Sequence, residues 1–293
     1  MYQRILLGSD PDGLARASVP AVAALARDFH AEFRVVAAEE MTGRPACRAV
    51  TEAWLDRVAG ELSYRNVAVR RELRRARRGA VANELVAAAR GWDADLIVLG
   101  THRRGDLQGL LVGSVAHQVA ARIDTPILVV GAPRPGDAAD GASPRRRILL
   151  AVDDTEPAEA AVRAAADLAG PGTEIRMVHA FGTREDRPEP EVAGRELLVR
   201  AGTILEATGH AAEAELLPGS EPVAERIARA ADAFGADLIV LGSRRLTDFG
   251  GLLLGSVAHD VIHRTNRPVF LAEHPHTGAA RPEETREGTA TSP

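Results

Sequence analysis

Two aspartates and two glycine-bearing loops are the residues whose type and spacing point to chemistry. Asp10 follows the apolar run Ile5-Leu6-Leu7-Gly8, and Asp153 follows Ile148-Leu149-Leu150-Ala151. A carboxylate at such a place can accept hydrogen bonds from a ligand's donors, and it can equally form a turn or cap a helix. The loops start at Gly100 and Gly242, each closing a run DLIVLG, and end at Gly113-Ser114 and Gly255-Ser256. Glycine lets a backbone approach a ligand and adopt positive φ. The sequence Gly-Ser-Val then opens a helical pattern, and the free N–H groups of a helix start favour an anion such as phosphate. The serine hydroxyl can cap that helix or hydrogen-bond a phosphate oxygen.

Both sets arise from one duplication. Residues 94–117 read ADLIVLGTHRRGDLQGLLVGSVAH, and residues 236–259 read ADLIVLGSRRLTDFGGLLLGSVAH, with no gap and an offset of 142 residues. Thr125-Pro126-Ile127-Leu128-Val129 answers Arg267-Pro268-Val269-Phe270-Leu271 at the same offset. A period this long is a whole domain rather than a solenoid repeat. The copies occupy residues 1–131 and 146–273. Residues 132–145, rich in Pro, Gly and charge, read as a linker, and 274–293 as a disordered tail.

The elements that must position these residues alternate. Strand runs in the first copy are RILLGS, EFRVVAA, VAVRREL, DLIVLG and PILVV; in the second, RILLAVD, EIRMVHA, AEAELL, DLIVLG and PVFLA. Ala-rich amphipathic stretches near 12–29, 48–64, 80–91 and 114–122, then 156–169, 190–208, 220–234 and 256–264, predict helices. Runs apolar throughout suit strands covered on both faces. The fold class is α/β: two tandem doubly wound domains, each a five-stranded parallel sheet with helices on both faces. Ligands on such sheets bind at the carboxyl ends of the strands, where strand order switches.

The spacing of the loops resembles the universal stress proteins, whose ATP-binding members carry Gly-x2-Gly-x9-Gly-Ser/Thr after the fourth strand. Gly100, Gly113 and Ser114 match the first glycine, third glycine and hydroxyl positions, as do Gly242, Gly255 and Ser256. The resemblance spans both copies. It implies ATP as the ligand, with or without Mg2+, and the first-strand aspartates, Asp10 and Asp153, on the adenosine part. It also implies a backbone contact to adenine at the end of the second strand, at Ala38 and Ala180. The chain departs from the pattern at its second glycine, which is Arg103 in one copy and Arg245 in the other. Arginine there either obstructs the close phosphate approach that glycine allows, or folds its guanidinium over the phosphates as a counter-charge. In the family the fifth strands of two domains pair across a dimer axis. Here PILVV and PVFLA would pair within one chain as a pseudo-dimer, and the whole chain could dimerise again.

Composition narrows the field. The net charge of −5 argues against a dedicated nucleic-acid binder. The basic run from Arg70 to Arg78 lacks interleaved aromatics and reads as a solvated edge. The single cysteine, Cys47, lies before the second helical stretch and can form neither an internal disulfide nor a zinc set. No export signal and no run of about 20 apolar residues occur, so a cytoplasmic protein off the membrane is expected. His117 and His259 read as helix-surface or packing residues, Trp54 and Trp92 as core anchors. Aromatics are only 3% of the chain, so the cores must be mainly Ala, Val, Leu and Ile.

Three functions follow. The first is a nucleotide-binding stress or signalling module that alters affinity for an unidentified protein partner and hydrolyses ATP slowly if at all. The second is a nucleotide-free interaction scaffold on the same fold, its site altered by Arg103 and Arg245. An enzyme ranks last: there is no GxxxxGK[ST] loop, every basic residue is an arginine, and no Ser-His-Asp set can be placed.

Overall fold

A computed structural model describes residues 2–8, 19–41, 45–100, 114–131, 145–155, 157–182, 189–242, 245–246 and 253–272. The first half runs β1 (Arg4–Gly8), α1 (Val19–Phe29), β2 (Glu32–Glu40), α2 (Pro45–Tyr64), β3 (Val69–Ala76), α3 (Val81–Gly91), β4 (Leu96–Gly100), α4 (Ser114–Ala120) and β5 (Ile127–Val130). The second half runs β6 (Arg147–Ala151), α5 (Pro157–Leu168), β7 (Glu174–Gly182), α6 (Glu189–Ala207), β8 (Ala212–Gly219), α7 (Val223–Phe234) and β9 (Leu238–Gly242). It ends with β10 (Arg245–Leu246), β11 (Leu253–Leu254), α8 (Ser256–Arg264) and β12 (Val269–Ala272).

Ten strands form one sheet in the order β3-β2-β1-β4-β5-β12-β9-β6-β7-β8. Within each half every pairing in this sheet is parallel. The halves meet where β5 and β12 run antiparallel, with Val129 opposite Val269, Leu128 opposite Phe270 and Ile127 opposite Leu271. Each half is therefore doubly wound, and its strand order switches between β1 and β4, or β6 and β9.

The LIVLG strands are buried on both faces because each face has its own helical layer. Side chains alternate across the pleat. Ile5, Leu7, Leu96, Val98, Ile148, Leu150 and Phe270 face α1, α2, α5 and α6. Leu6, Ile97, Leu99, Leu149, Ile239 and Leu241 face α3, α4, α7 and α8. Both layers run through both halves. The aspartate of the repeated ADLIVLG is structural. Asp95 accepts hydrogen bonds from the backbone N–H groups of Gln3 (2.7 Å) and Arg4 (2.9 Å), and Asp237 accepts one from Arg147 (2.9 Å).

Aromatic contacts cross the seam between halves. Tyr2 packs edge-on against Phe29 at 5.4 Å and tilts against Phe270 of the second half at 5.8 Å. Arg145 lies over the Phe29 ring at 5.0 Å, pairs with Asp28 at 2.9 Å, and donates to the carbonyl of Leu168 at 2.7 Å. One guanidinium thus ties α1 to α5.

Two expectations change, those for Cys47 and for the tryptophans. Cys47 lies inside α2, because Pro45 opens that helix two residues earlier, where proline's missing N–H costs nothing. Trp54 and Trp92 are half-buried at the core's margin rather than central, and Arg34 sits 4.7 Å over the Trp92 ring. The second glycine loop contains a short antiparallel pair, β10 and β11. The basic run forms the edge strand β3, where Arg71 pairs with Asp56, and Arg74 with Glu72 and Glu84. The linker centre and the tail lie outside the described residues.

Candidate functional site

The second half carries a cleft at the carboxyl ends of its strands, on the side covered by α7 and α8. Its floor is Ala151, Val152 and Asp153 after β6, Val178 and Ala180 on β7, and Leu241 and Gly242 on β9. Its walls are Val223 and Ile227 of α7 and Val257 and Ala258 of α8. The cleft straddles β6 and β9, the switch point at which an open α/β sheet leaves a crevice. It encloses about 80 Å³. A water molecule's share of liquid volume is about 30 Å³, so the enclosed part holds a few waters or one edge of a base, and anything larger extends over the rim.

Asp153 is exposed and lines this cleft. Its carboxylate also accepts a hydrogen bond from the backbone N–H of Thr155 at 3.1 Å and another from the Thr155 hydroxyl. The turn role and the ligand-facing role thus fall on one side chain, and the turn fixes its position. His179 holds the neighbouring strand end: its Nδ1–H donates to the carbonyl of Val152 at 2.8 Å. That bond joins the residue before Ala180 to the residue before Asp153.

Gly255 is the N-cap of α8, with φ −53 and no side-chain capping bond, and Ser256 is the exposed first helical residue. Capping therefore does not account for Ser256, and Gly255 needs no left-handed backbone. What the helix start offers is its unused backbone N–H groups, with no acidic side chain in the first turn to oppose an anion. Arg245 sits on β10 opposite Leu254, the residue before Gly255. The hairpin therefore returns the second-glycine position to the mouth of the loop.

In the first half, Ala38 lies on β2, Gly100 ends β4 and Ser114 begins α4. Asp10, Arg103 and Gly113 lie outside the described residues. The second half brings Asp153, Ala180 and Gly242 to one cleft, and Gly255 and Ser256 immediately precede its wall residues Val257 and Ala258. Sequence reasoning missed the apolar walls. Val257 is 39% exposed, unusual for a valine, and lies against the cleft. Its one advance signal is the repeated Ser-Val-Ala-His.

The histidines of that repeat meet. The rings of His117 on α4 and His259 on α8 stack edge to face at 5.1 Å, and His263 lies 4.2 Å from His259. Burial, then the neighbouring His259, lowers the pKa of His117. Among the described residues no group of three or more His, Cys, Asp or Glu is placed to hold a metal ion. A larger open depression, about 640 Å³, lies at the opposite end of the sheet. Its central polar group, Arg176, is already engaged by Glu213 at 2.7 Å and by the Phe234 ring at 4.4 Å. None of the described helices is long and apolar enough to cross a membrane.

Comparison with known proteins gives a consistent result. A model of the universal stress protein family matches residues 1–131 and again 144–272. A universal stress protein of Mycobacterium tuberculosis strain H37Rv is 28% identical over 189 residues, covering 61% of this chain and 62% of that protein. The chain thus matches about six-tenths of that relative's length. A universal stress protein from Archaeoglobus fulgidus DSM 4304 shares the fold, with TM-score 0.69 at 19% identity, covering 92% of this chain and 98% of that one. Another from Archaeoglobus fulgidus, solved in complex with dAMP, is 32% identical over 43% of this chain and 97% of its own, with TM-score 0.37.

Proposed function

The chain belongs to the universal stress protein family, and from that premise we propose that it binds an adenine nucleotide, ATP in the first instance, at the strand-end cleft of each half. One observation carries the reading: Asp153, Ala180 and Gly242 line the same cleft, and the start of α8 closes it. The chemistry divides accordingly. Val223, Ile227 and Val257 offer an apolar slot for the flat edge of a base, beside the Ala180 backbone. Asp153 accepts from ribose hydroxyls. Ser256 and the free N–H groups of α8 face the phosphates, with Arg245 supplying counter-charge from the loop mouth. Asp10, Ala38, Gly100, Arg103, Gly113 and Ser114 take the corresponding parts in the first half.

Nothing in this set activates water or a nucleophile. The chain therefore acts as a nucleotide-responsive stress or signalling module, read by a protein partner, and not as an enzyme. The small enclosed volume favours the second reading, a nucleotide-free scaffold. ATP titration calorimetry with magnesium separates them. Heat saturating at one or two equivalents, weakened roughly tenfold to a hundredfold by Asp153→Ala, is the expected result, since a hydrogen bond to a charged group contributes about 1.5–3 kcal/mol. No heat up to millimolar ATP leaves the scaffold.

A further inference from the structure

Resting on that reading, we infer that the two halves are unequal nucleotide sites, and that Arg226 makes the second the tighter one.

Arg226 lies on α7 between Val223 and Ile227, two walls of the cleft, and is only 5% exposed. Its Nη1 donates to the carbonyl of Phe181 at 2.7 Å and to that of Leu217. Phe181 follows Ala180 in the chain, and Leu217 is the register partner of Ala180 on β8. One buried guanidinium thus fixes the backbone on two sides of Ala180. The His179–Val152 bond fixes it on a third side.

The first half is built differently at each of these places. The residue equivalent to Arg226 is Glu84, and a carboxylate cannot donate to a strand-end carbonyl. Ala37 stands where His179 would be, with no donor for the β1 end. Arg74, the register partner of Ala38, points its guanidinium at Glu84 (3.0 Å) and Glu72 (2.8 Å) instead. The Arg74 and Glu84 side chains are 29% and 31% exposed, so this ion pair is screened and exchanges with water. Affinity gains from walls fixed before the ligand arrives. Glu84, paired with Arg74, offers the Ala38 backbone no such anchor. Arg226 acts through the Ala180 backbone, so it is a positioning residue.

The test is ATP–magnesium titration calorimetry on the full chain. The wild type should show one tight equivalent and a second at least tenfold weaker. Arg226→Met should weaken the tight phase at least tenfold and leave the weak one. The reciprocal graft, Arg74→Leu with Glu84→Arg, should tighten the weak phase severalfold, a gain that misfolding cannot produce. Two equal sites in the wild type, or an unchanged weak phase in the graft, overturn the inference while leaving nucleotide binding standing. No heat from any of the three proteins overturns nucleotide binding and the inference with it.

Discussion

Replacing Phe270 by alanine tests whether the two halves fold as one unit. Phe270 is fully buried on β12, opposite Leu128 of β5, and its ring meets Tyr2 of the first half. Truncating a buried phenylalanine costs about 3–5 kcal/mol. The lost contact with Tyr2 is part of that figure. For a chain of this size each kcal/mol lowers Tm by about 2 °C, so a fall of roughly 6–10 °C is expected. The protein provides its own reporter. Its two tryptophans, Trp54 and Trp92, both lie in the first half. Tryptophan fluorescence therefore follows the first half while the substitution sits in the second. If β5–β12 pairing and the Tyr2–Phe270 contact make one cooperative unit, the fluorescence midpoint moves with the circular dichroism midpoint. A fluorescence transition that stays in place while circular dichroism becomes biphasic would refute the single-unit reasoning.

Three further outcomes follow from the same structure. Arg145→Ala should cost about 2 kcal/mol in urea denaturation, since it removes a half-buried ion pair and a cation–ring contact at the seam; a loss below about 0.5 kcal/mol would show the clasp to be idle. Asp237→Ala should destabilise by about 0.5–1.5 kcal/mol by removing the hydrogen bond to the Arg147 N–H at the start of β6, and an unchanged urea midpoint would contradict that. His117 has a lowered pKa, so the fold prefers its neutral form: its contribution is present above pH 6.5 and lost as pH falls below that value. The urea midpoint should drop between pH 7.5 and 5.5 by more in the wild type than in His117→Gln, and equal drops would count against burial, with His259 beside it, as what disfavours the charged form of His117.

Much of the fold was legible because its signals are local or repeated. LIVLG is apolar throughout, so a doubly covered parallel strand was the economical reading, and the offset between copies fixed where each element recurs. The cleft was legible only at its floor. Asp153, Gly242 and Gly255 stand at element ends, where residue type carries meaning. Val223, Ile227 and Val257 are valines and isoleucine like those of any core, and only burial separates wall from interior. Arg226 gave no signal because its partners are backbone carbonyls, which every residue has. The β10–β11 pair is two residues long, too short for a period. The meeting of His117 with His259 depends on how the two halves pack, and pairing of β5 with β12 sets that.

Nucleotide binding at these clefts is read by mass spectrometry of small molecules released from the purified, denatured protein. An adenine nucleotide near one equivalent, or two if both halves are filled, is expected, and its loss from a variant carrying Asp153→Ala together with Asp10→Ala. Protein purified from nucleotide-rich cells that releases none, and takes up none when incubated with millimolar ATP and magnesium, would contradict it.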